Sequence, residues 1–415
     1  MKINKSNNRP IVFVANSSWY LFHYREGLIK KCGKNEKVVS ISPIDKSTDY
    51  LSSISLHIPW KMSRKNASDP FSVFISSLRM FYLLRAIKPK LVQSHTLKAN
   101  LIVSICCSLL GVPCVLSFAG LGNLINSKKI FFLNFILRFI YLIGKIERVG
   151  YLRFSFNKER VIYIFQNKRD KRIFEKVCKP RKNQVKLILG SGVPQKLIKF
   201  VENNKSKLNF DKGEKIEGGI FCGRLLKSKG IKIFVDIAKN DPSRKYFVYG
   251  GIDESSPDSL TKKDIEQFKF IENLKFNGVV EDPLINFYDK RFILIAPTIY
   301  GEGLPRSIAE ALILGIPVIC SYEALSEIFS TKMLTTVRVR RAISYLKKIN
   351  ELEKKIYLKS FGNKIKLGRQ FVLDNLSENK VIEDTMKIYR NFEKRTNFIY
   401  TNREYLRSSK RWISN

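Results

Sequence analysis

The stretch that decides the fold runs from Gly301 to Cys320 and reads G-E-G-L-P-R-S-I-A-E-A-L-I-L-G-I-P-V-I-C. The apolar run Arg291–Pro297 before it predicts a buried strand, and Pro305 is typical of the first turn of a helix. A strand, a glycine-rich loop and a helix in this order leave backbone N–H groups unpaired at the helix N-terminus, where a phosphate can bind. We therefore expect a phosphate-binding turn in this stretch.

Two glutamates stand eight residues apart in the same stretch. Glu302 falls in the predicted loop, and Glu310 lies about one and a half turns into the predicted helix. A carboxylate at Glu310 can accept both hydroxyl protons of a ribose, while Gly301 and Gly303 let the backbone approach a ligand closely. This arrangement indicates nucleotide-sugar binding, although two glutamates at this spacing also occur by chance on a solvated helix face.

A second cluster follows the first predicted strand of the C-terminal half. It reads G-R-L-L-K-S-K-G from Gly223 to Gly230, so Arg224 and Lys229 project from the carboxyl edge of the sheet, where ligands bind in open α/β folds. A guanidinium fork and an ammonium point charge suit a diphosphate leaving group. The alternative is that both are ordinary surface cations of a basic chain.

Strands and helical stretches alternate in two series, which predicts two Rossmann-like domains with parallel sheets. We place an N-terminal domain at residues 1–193, a polar linker at 194–213, a C-terminal domain at 214–390 and a basic tail at 391–415. The predicted strands are Ile11–Ala15, Lys37–Ser42, Leu91–Ser94, Pro113–Phe118, Gly218–Cys222, Lys245–Tyr249, Leu274–Phe276 and Phe292–Pro297. The predicted helices are Tyr20–Lys31, Pro70–Ile87, Asn100–Leu110, Ile231–Lys239 and Thr261–Glu272.

Composition limits the possible partners and cofactors. The 415 residues carry 75 Lys and Arg against 36 Asp and Glu, a net charge of +39 that favours nucleic acid, an anionic membrane or phosphorylated substrates. The seven cysteines show no C-x-x-C and predict reduced, buried thiols of a cytosolic protein. The three histidines lack metal-ligand spacing and no Asp-x-Asp occurs, so we expect no metal site and metal-independent chemistry.

Together these segments resemble the family 4 retaining glycosyltransferases, whose E-x7-E signature and diphosphate-binding G-R-x4-K-G pair they match from Ile11 to about Asn391. The resemblance implies the GT-B fold, in which two Rossmann-like domains face each other across a cleft and a C-terminal helix returns to the N-terminal domain. It implies a UDP-sugar as co-substrate, no other cofactor and no side-chain general base. It assigns the ribose to Glu310, the transferred sugar to Glu302, the diphosphate to Arg224 and Lys229, and further donor contacts to Gly223, Gly303, Leu304 and Pro305.

Two N-terminal segments, Ser94–Asn100 and Phe118–Gly122, are similar to members that extend lipid-linked oligosaccharides. This similarity implies an N-acetylhexosamine or hexose donor and a polyprenyl-diphosphate-linked or lipopolysaccharide acceptor for surface polysaccharides. The candidate acceptor residues are Ser17, Ser18, His95, Lys98 and Gly120. The chain departs from the family at Ser17–Ser18, where glycines are common, at Ala119, where a histidine is common, and at Tyr322–Leu334, which leaves the donor sugar open.

The membrane question rests on two basic, aromatic segments. Ile130–Gly144 is too short to span a bilayer, but Lys128–Arg148 around it fits either a bilayer interface or a core helix with exposed cations. From the polar, basic stretch Met1–Pro10 we expect no signal peptide, and Glu393–Asn415 mixes cations with aromatic rings. We expect a peripheral protein on the cytoplasmic face of the inner membrane that binds no nucleic acid. The alternatives are a non-catalytic basic protein that binds nucleic acid or membrane, and a transferase with a soluble acceptor.

Overall fold

The computed structural model describes residues 9–62, 70–121, 130–148, 154–156, 160–204, 215–254, 256–300, 303–357 and 362–392. Glu302 and Gly301, both predicted to belong to the donor site, lie outside the described residues. The same is true of the tail from residue 393 onward and of Lys128 and Lys129. The roles predicted for these residues stay predictions.

The first half of the chain builds an α/β domain. Its elements, in chain order, are β1 (Ile11–Val14), α1 (Ser18–Gly33), β2 (Val38–Ser42), α2 (Thr48–Ser52), β3 (Leu56–Pro59), α3 (Pro70–Ile87), β4 (Leu91–His95), α4 (Leu97–Leu110), β5 (Cys114–Phe118), α5 (Ile130–Lys145), β6 (Ile146–Arg148), β7 (Phe154–Phe156), β8 (Val161–Phe165), α6 (Lys168–Cys178) and β9 (Val185–Leu187). The sheet has the order β3-β2-β1-β4-β5-β8-β9 and its neighbouring strands run parallel. Every residue of β1, β2, β4 and β5 is buried, as expected for a parallel sheet covered on both faces.

The second half repeats this plan. Its elements are α7 (Gln195–Asn203), β10 (Gly218–Cys222), α8 (Ile231–Lys239), β11 (Lys245–Tyr249), α9 (Lys262–Phe268), β12 (Leu274–Phe276), β13 (Phe292–Ala296), α10 (Arg306–Leu314), β14 (Val318–Ser321), β15 (Thr335–Val337), α11 (Ala342–Tyr357), α12 (Gly362–Leu376) and α13 (residues 378–392). The second sheet has the order β12-β11-β10-β13-β14-β15, again with parallel neighbours. Two Rossmann-like domains are therefore present, as predicted.

The last helix joins the two domains. On one face of the first sheet lie α3, α4, α5 and α6, and on the other face α1 packs together with α13. In α13 the side chains of Val381, Ile388, Tyr389 and Phe392 are buried in the same hydrophobic core as Phe13 of β1. The chain thus crosses back to the first sheet, which confirms the predicted returning helix. Residues 378–390, assigned to the C-terminal domain from sequence, pack in the core of the N-terminal one.

The segment predicted as a linker, residues 194–213, is not an irregular connection throughout. It contains α7, and Leu197, Ile198 and Val201 on one face of that helix are buried in the core of the second domain. Residues 205–213 lie outside the described residues. The helical part of the segment therefore belongs to the second domain.

Most predicted elements are found within three residues of their predicted ends. The largest difference is α9, which ends at Phe268 because residues 269–273 turn directly into β12. The sequence does not predict β3, an edge strand whose residues are only partly buried and show no clear alternation. Within the described part of the chain, no helix is both long enough and apolar enough to cross a bilayer.

Candidate functional site

The carboxyl edges of the two sheets face each other, and loops from both edges touch. A Cβ atom built on Gly303 would lie 2.8 Å from the carbonyl oxygen of Ala119, which follows β5. Gly190, which follows β9, has a φ of +64°, and a Cβ there would overlap the side chain of Leu304. Both contacts therefore need glycine. They bring the loop that precedes α10 against the acceptor domain predicted from sequence.

Arg224 lies just beyond β10 at the edge of the second sheet. Its Nη1 donates to Asp253 Oδ2 at 2.7 Å, and 57% of its side chain is exposed. The preceding Gly223 donates its backbone N–H to the Tyr249 carbonyl at 2.9 Å, which ties the loops after β10 and β11 together. The structure thus holds the guanidinium at the sheet edge, and Asp253, which the sequence reasoning did not single out, orients it.

Lys229 closes the short turn between β10 and α8. A Cβ built on Gly223 would lie 3.8 Å from Lys229 Cδ, so the aliphatic stem of the lysine passes over that glycine. Its positive charge acts on the Tyr24 hydroxyl of α1 and on the Cys222 thiol at the end of β10. Lys229 therefore lies on the same sheet edge as Arg224, and its charge acts on groups of both domains.

Glu310 reaches the same edge from α10. Only 13% of its side chain is exposed, and its Oε1 accepts a 2.7 Å hydrogen bond from Nε of Arg306. Burial raises the pKa of Glu310, and the positive charge of Arg306 partly offsets this rise. Burial, with the nearby Glu310 charge, also raises the pKa of the Cys222 thiol to about 12. The structure therefore brings Glu310 near the end of β10, where its charge, like that of Lys229, acts on Cys222.

Arg306 joins this carboxylate to the N-terminal domain. Its Nη1 donates to the His23 carbonyl at 2.7 Å, and its guanidinium carbon lies 5.2 Å from the centroid of the Tyr24 ring. Sequence reasoning missed this residue, although it lies in the Gly301–Cys320 stretch. The available signal was its position one turn before Glu310, since a cation and an anion four residues apart on a helix pair readily.

Two of the predicted acceptor residues, Ser17 and Ser18, have their hydroxyls engaged inside the N-terminal domain. Ser17 caps α1, because its Oγ accepts the Tyr20 N–H at 3.2 Å. Ser18 is fully buried, donates to the Pro43 carbonyl at 2.8 Å and lies 2.9 Å from Ser42 Oγ. Both side chains therefore position the first loop, and a direct contact with the acceptor stays a prediction.

The other three predicted acceptor residues lie at or near the carboxyl edge of the first sheet. Gly120 has a φ of +137°, and a Cβ there would lie 3.8 Å from the backbone nitrogen of Gly303. Lys98 lies in the first turn of α4. His95, at the end of β4, is 0% exposed, and neither ring nitrogen has a hydrogen-bond partner among the described residues. The structure thus brings Gly120 close to Gly303 of the donor loop, and the roles predicted for His95 and Lys98 stay predictions.

The buried imidazole has a consequence for acid stability. Burial and the charge of Arg25 hold the pKa of His95 well below its ordinary value of 6.5. Below about pH 6.5 the unfolded chain takes up a proton that folded His95 does not, so the free energy of unfolding falls by up to about 1.4 kcal/mol per pH unit. We expect chemical denaturation of His95→Gln to show a shallower loss between pH 6.5 and 5 than the wild type.

The control for that prediction is a proton NMR titration of the three histidines in the wild type. We expect one imidazole to stay neutral between pH 6.5 and 5. This measurement does not depend on the stability of the variant. If the stabilities of the wild type and His95→Gln fall equally with pH, and all three histidines titrate near their ordinary pKa, then His95 does not have the lowered pKa described above.

The described residues contain no group of three or more His, Cys, Asp and Glu side chains that could hold a metal ion. Metal independence stays a prediction, since it concerns the reaction rather than the arrangement of these residues.

Comparison with solved structures shows the fold. HepE of Anabaena in complex with UDP has a TM-score of 0.67 at 13% identity, covering 92% of this chain and 100% of that one. Sucrose-phosphate synthase of Thermosynechococcus elongatus has a TM-score of 0.69 at 14% identity, covering 93% and 100%. The lipopolysaccharide outer core galactosyltransferase WaaB has a TM-score of 0.61 at 10% identity, covering 92% and 99%. These likenesses agree with the GT-B arrangement of two Rossmann-like domains.

Family comparison adds a sequence match for each domain. A comparison with curated protein sequences gives no match. Residues 11–163 match the family model described as glycosyl transferase 4-like, and residues 200–366 match the model described as glycosyl transferases group 1. The two matches cover the second sheet, the first sheet as far as Tyr163 in β8, and all of the donor-edge residues described above. The chain therefore belongs to the GT4-type glycosyltransferases with the GT-B fold.

Proposed function

We propose that this glycosyltransferase moves an N-acetylhexosamine or hexose from a UDP-sugar to a lipid-linked glycan, with retention of configuration at the anomeric carbon. The observation that carries the proposal is the convergence of Arg224, Lys229 and Glu310 on one edge of the second sheet, opposite the loop at Gly120. Two cations and a largely buried carboxylate on one sheet edge suit a nucleoside diphosphate, because the cations can meet the phosphates and the carboxylate can meet the ribose hydroxyls. HepE, which shares the fold, was solved with UDP.

The proposed reaction needs little from the protein beyond positioning and charge. The bond from the anomeric carbon to the UDP oxygen breaks, and a bond from that carbon to the acceptor oxygen forms on the same face. The acceptor proton passes to a diphosphate oxygen of the departing UDP. Arg224 and Lys229 offset the negative charge that grows on the diphosphate, so no metal ion or side-chain base is required. Glu302 is assigned to the transferred sugar by family resemblance alone.

An exposed apolar face on the first domain supports a membrane-bound acceptor. Leu133, Leu137 and Ile140 of α5 are buried, yet the opposite side of that helix is also apolar. Its exposed apolar side chains are Phe131, Phe132, Phe135, Phe139 and Leu142, and Arg138 is exposed with them. Soluble proteins rarely leave such a face in water. We call these five residues the α5 face and propose that it rests in the bilayer interface on the cytoplasmic side of the inner membrane, where lipid-linked glycans for surface polysaccharides would be extended.

The α5 face makes a direct prediction. Replacing both Phe135 and Phe139 with Ser removes two rings that would each contribute about 1.5–3 kcal/mol on burial in the membrane. We expect the double variant to lose flotation with phosphatidylglycerol vesicles, by at least about 100-fold in partition coefficient. Phe270→Ser is the matched control, because Phe270 is 87% exposed but belongs to the second domain. Equal flotation of all three proteins would refute the membrane assignment.

The proposed function is tested by incubating the protein with UDP-, GDP- and ADP-sugars and an extract of lipid-linked acceptors. We expect one UDP-sugar to add one hexose or N-acetylhexosamine to an acceptor, seen by mass, and NMR of the product to show the anomeric configuration of the donor. If sugar is transferred only to a water-soluble glycan, the acceptor is not lipid-linked and this part of the proposal is wrong. An inverted product would reject retention, and salt-sensitive binding to DNA or RNA without sugar-nucleotide binding would favour a non-catalytic role.

A further inference from the structure

A groove of about 620 Å³ opens on the N-terminal domain, outside the donor site. It lies between the loops that follow β2 and β3 and the first turns of α3. Its lining includes Ile44, Trp60, Lys61, Phe71, Ile75 and Arg79. Its volume falls in the range of roughly 300–1,000 Å³ that small-molecule sites have. No role in the reaction described above uses these residues.

The floor of the groove is fixed and apolar. Trp60 is 1% exposed, and its Nε1 donates to the Ser76 carbonyl of α3 at 3.3 Å. Phe71 and Ile44 line the walls and stay largely exposed, at 69% and 70%. The walls therefore offer hydrocarbon contacts on several sides, and a ligand that covered them would remove apolar surface from water.

The groove also carries positive charge. Lys61 and Arg79 both line it and both are exposed. An apolar channel with two cations at its surface matches a hydrocarbon chain that ends in phosphate, since the chain fills the channel and the phosphates meet the cations. A neutral apolar ligand would leave this charge unused.

Its place in the fold connects the groove to both the cleft and the membrane. It opens at the ends of β2 and β3, which is the carboxyl edge of the first sheet and the edge that also carries Gly120. On its other side α3 continues with an exposed stripe that includes Phe74, Leu78 and Tyr82. That helix packs on α4, which packs on α5, so the stripe belongs to the same helical layer as the α5 face.

We propose that this groove holds the first units of the acceptor's hydrocarbon chain, with the phosphates that join chain and glycan at Lys61 and Arg79. This inference rests on the proposed function, because it assumes a lipid-linked acceptor. A chain seated here enters from the membrane side of the layer and directs its glycan along the sheet edge toward the donor loop. The groove therefore selects a phosphorylated lipid over a free glycan.

The probe for this site is farnesyl diphosphate, and the reporter is Trp60. In a Trp19→Phe, Trp412→Phe background Trp60 is the remaining one of the three tryptophans. We expect farnesyl diphosphate to change its fluorescence with a Kd at least about 10-fold lower than that of inorganic diphosphate or farnesol, because each of these offers only one part of the ligand. Lys61→Glu with Arg79→Glu is expected to weaken binding at least about 10-fold.

Two further variants make the test specific. Arg85→Glu changes the same charge on the same helix outside the groove, and we expect it to bind as the wild type does. Ile75→Trp, assayed in the same background by competition calorimetry, fills the channel and is expected to weaken farnesyl diphosphate while leaving inorganic diphosphate unchanged. If all variants bind farnesyl diphosphate equally well, the assignment of the groove to the acceptor chain is wrong. The same follows if dihexanoyl phosphatidylglycerol occupies the groove as well as farnesyl diphosphate does.

The outcome is separable from that of the proposed function. A protein that transfers sugar to a lipid-linked acceptor but does not bind farnesyl diphosphate at Trp60 contradicts the groove alone. A protein that binds farnesyl diphosphate there but uses no UDP-sugar contradicts the proposed function alone.

Discussion

Lys229→Ala lowers kcat for sugar transfer by about 100- to 1,000-fold, the usual cost of removing one group that stabilises charge in a transition state. The physical reason is the position of Lys229 at the sheet edge, where its charge acts on both Tyr24 and Cys222 and where we propose that the diphosphate binds. Arg224→Ala is expected to act in the same direction. Steady-state kinetics with a saturating UDP-sugar measures the change.

The control for Lys229 is Lys232→Ala, which removes the same charge from an exposed position one turn later in α8. We expect Lys232→Ala to keep wild-type kcat and both variants to keep the wild-type melting temperature. If Lys229→Ala transfers sugar at a near-normal rate, the assignment of the diphosphate to this edge is wrong.

Glu310→Gln raises the KM for the UDP-sugar by about 10- to 100-fold, because hydrogen bonds to a charged group contribute roughly 1.5–3 kcal/mol. The pH dependence carries a second signature. Burial raises the pKa of Glu310. In the wild type we therefore expect the affinity for the UDP-sugar to be highest above that pKa and to fall as the pH drops through it. This fall occurs at a higher pH than it would for an exposed glutamate. We expect the glutamine variant not to show this loss of affinity at low pH.

Glu353→Gln is the matched control for Glu310→Gln. Glu353 also pairs with an arginine, Arg244, at 3.0 Å, and its side chain is 22% exposed, against 13% for Glu310. Its replacement shows the effect of losing a partly buried ion pair that lies away from the proposed donor site. We expect lower stability with unchanged KM in Glu353→Gln, and an equal rise of KM in both variants would show that Glu310 has no specific part in donor binding.

Arg306 connects Glu310, the carboxylate proposed to bind the ribose, to the interface between the two domains. Its one side chain contacts Glu310 in the second domain and His23 and Tyr24 in the first. Under the proposed function, a donor that draws Glu310 toward its ribose rearranges this contact between the two domains.

Local pattern predicted much of the fold. β10, α8, β11 and β12 have the predicted bounds, because short apolar strands between polar turns leave little choice of secondary structure. The helix α7 was missed, because residues 194–213 were predicted to be a polar linker. Leu197, Ile198 and Val201 do follow helical spacing, but the lysines and asparagines around them obscure it.

What the sequence could not predict depends on contacts between distant segments. It predicts that Arg224, Lys229 and Glu310 lie at one sheet edge, because parallel strands share a carboxyl edge. It does not predict that Arg306 reaches α1 or that His95 is fully buried, since both follow from how the layers pack. Nor does it show which side of α5 is buried when both sides are apolar.

The central claim is that a UDP-sugar binds at the edge formed by Arg224, Lys229 and Glu310. Isothermal titration calorimetry of UDP, and of the UDP-sugar that proves active, into the wild type and into the Arg224→Ala, Lys229→Ala double variant tests it most directly. The account predicts saturable one-to-one binding to the wild type and at least about 100-fold weaker binding to a double variant with an unchanged melting temperature. Equal UDP affinity in the two proteins, or none in the wild type, would contradict it.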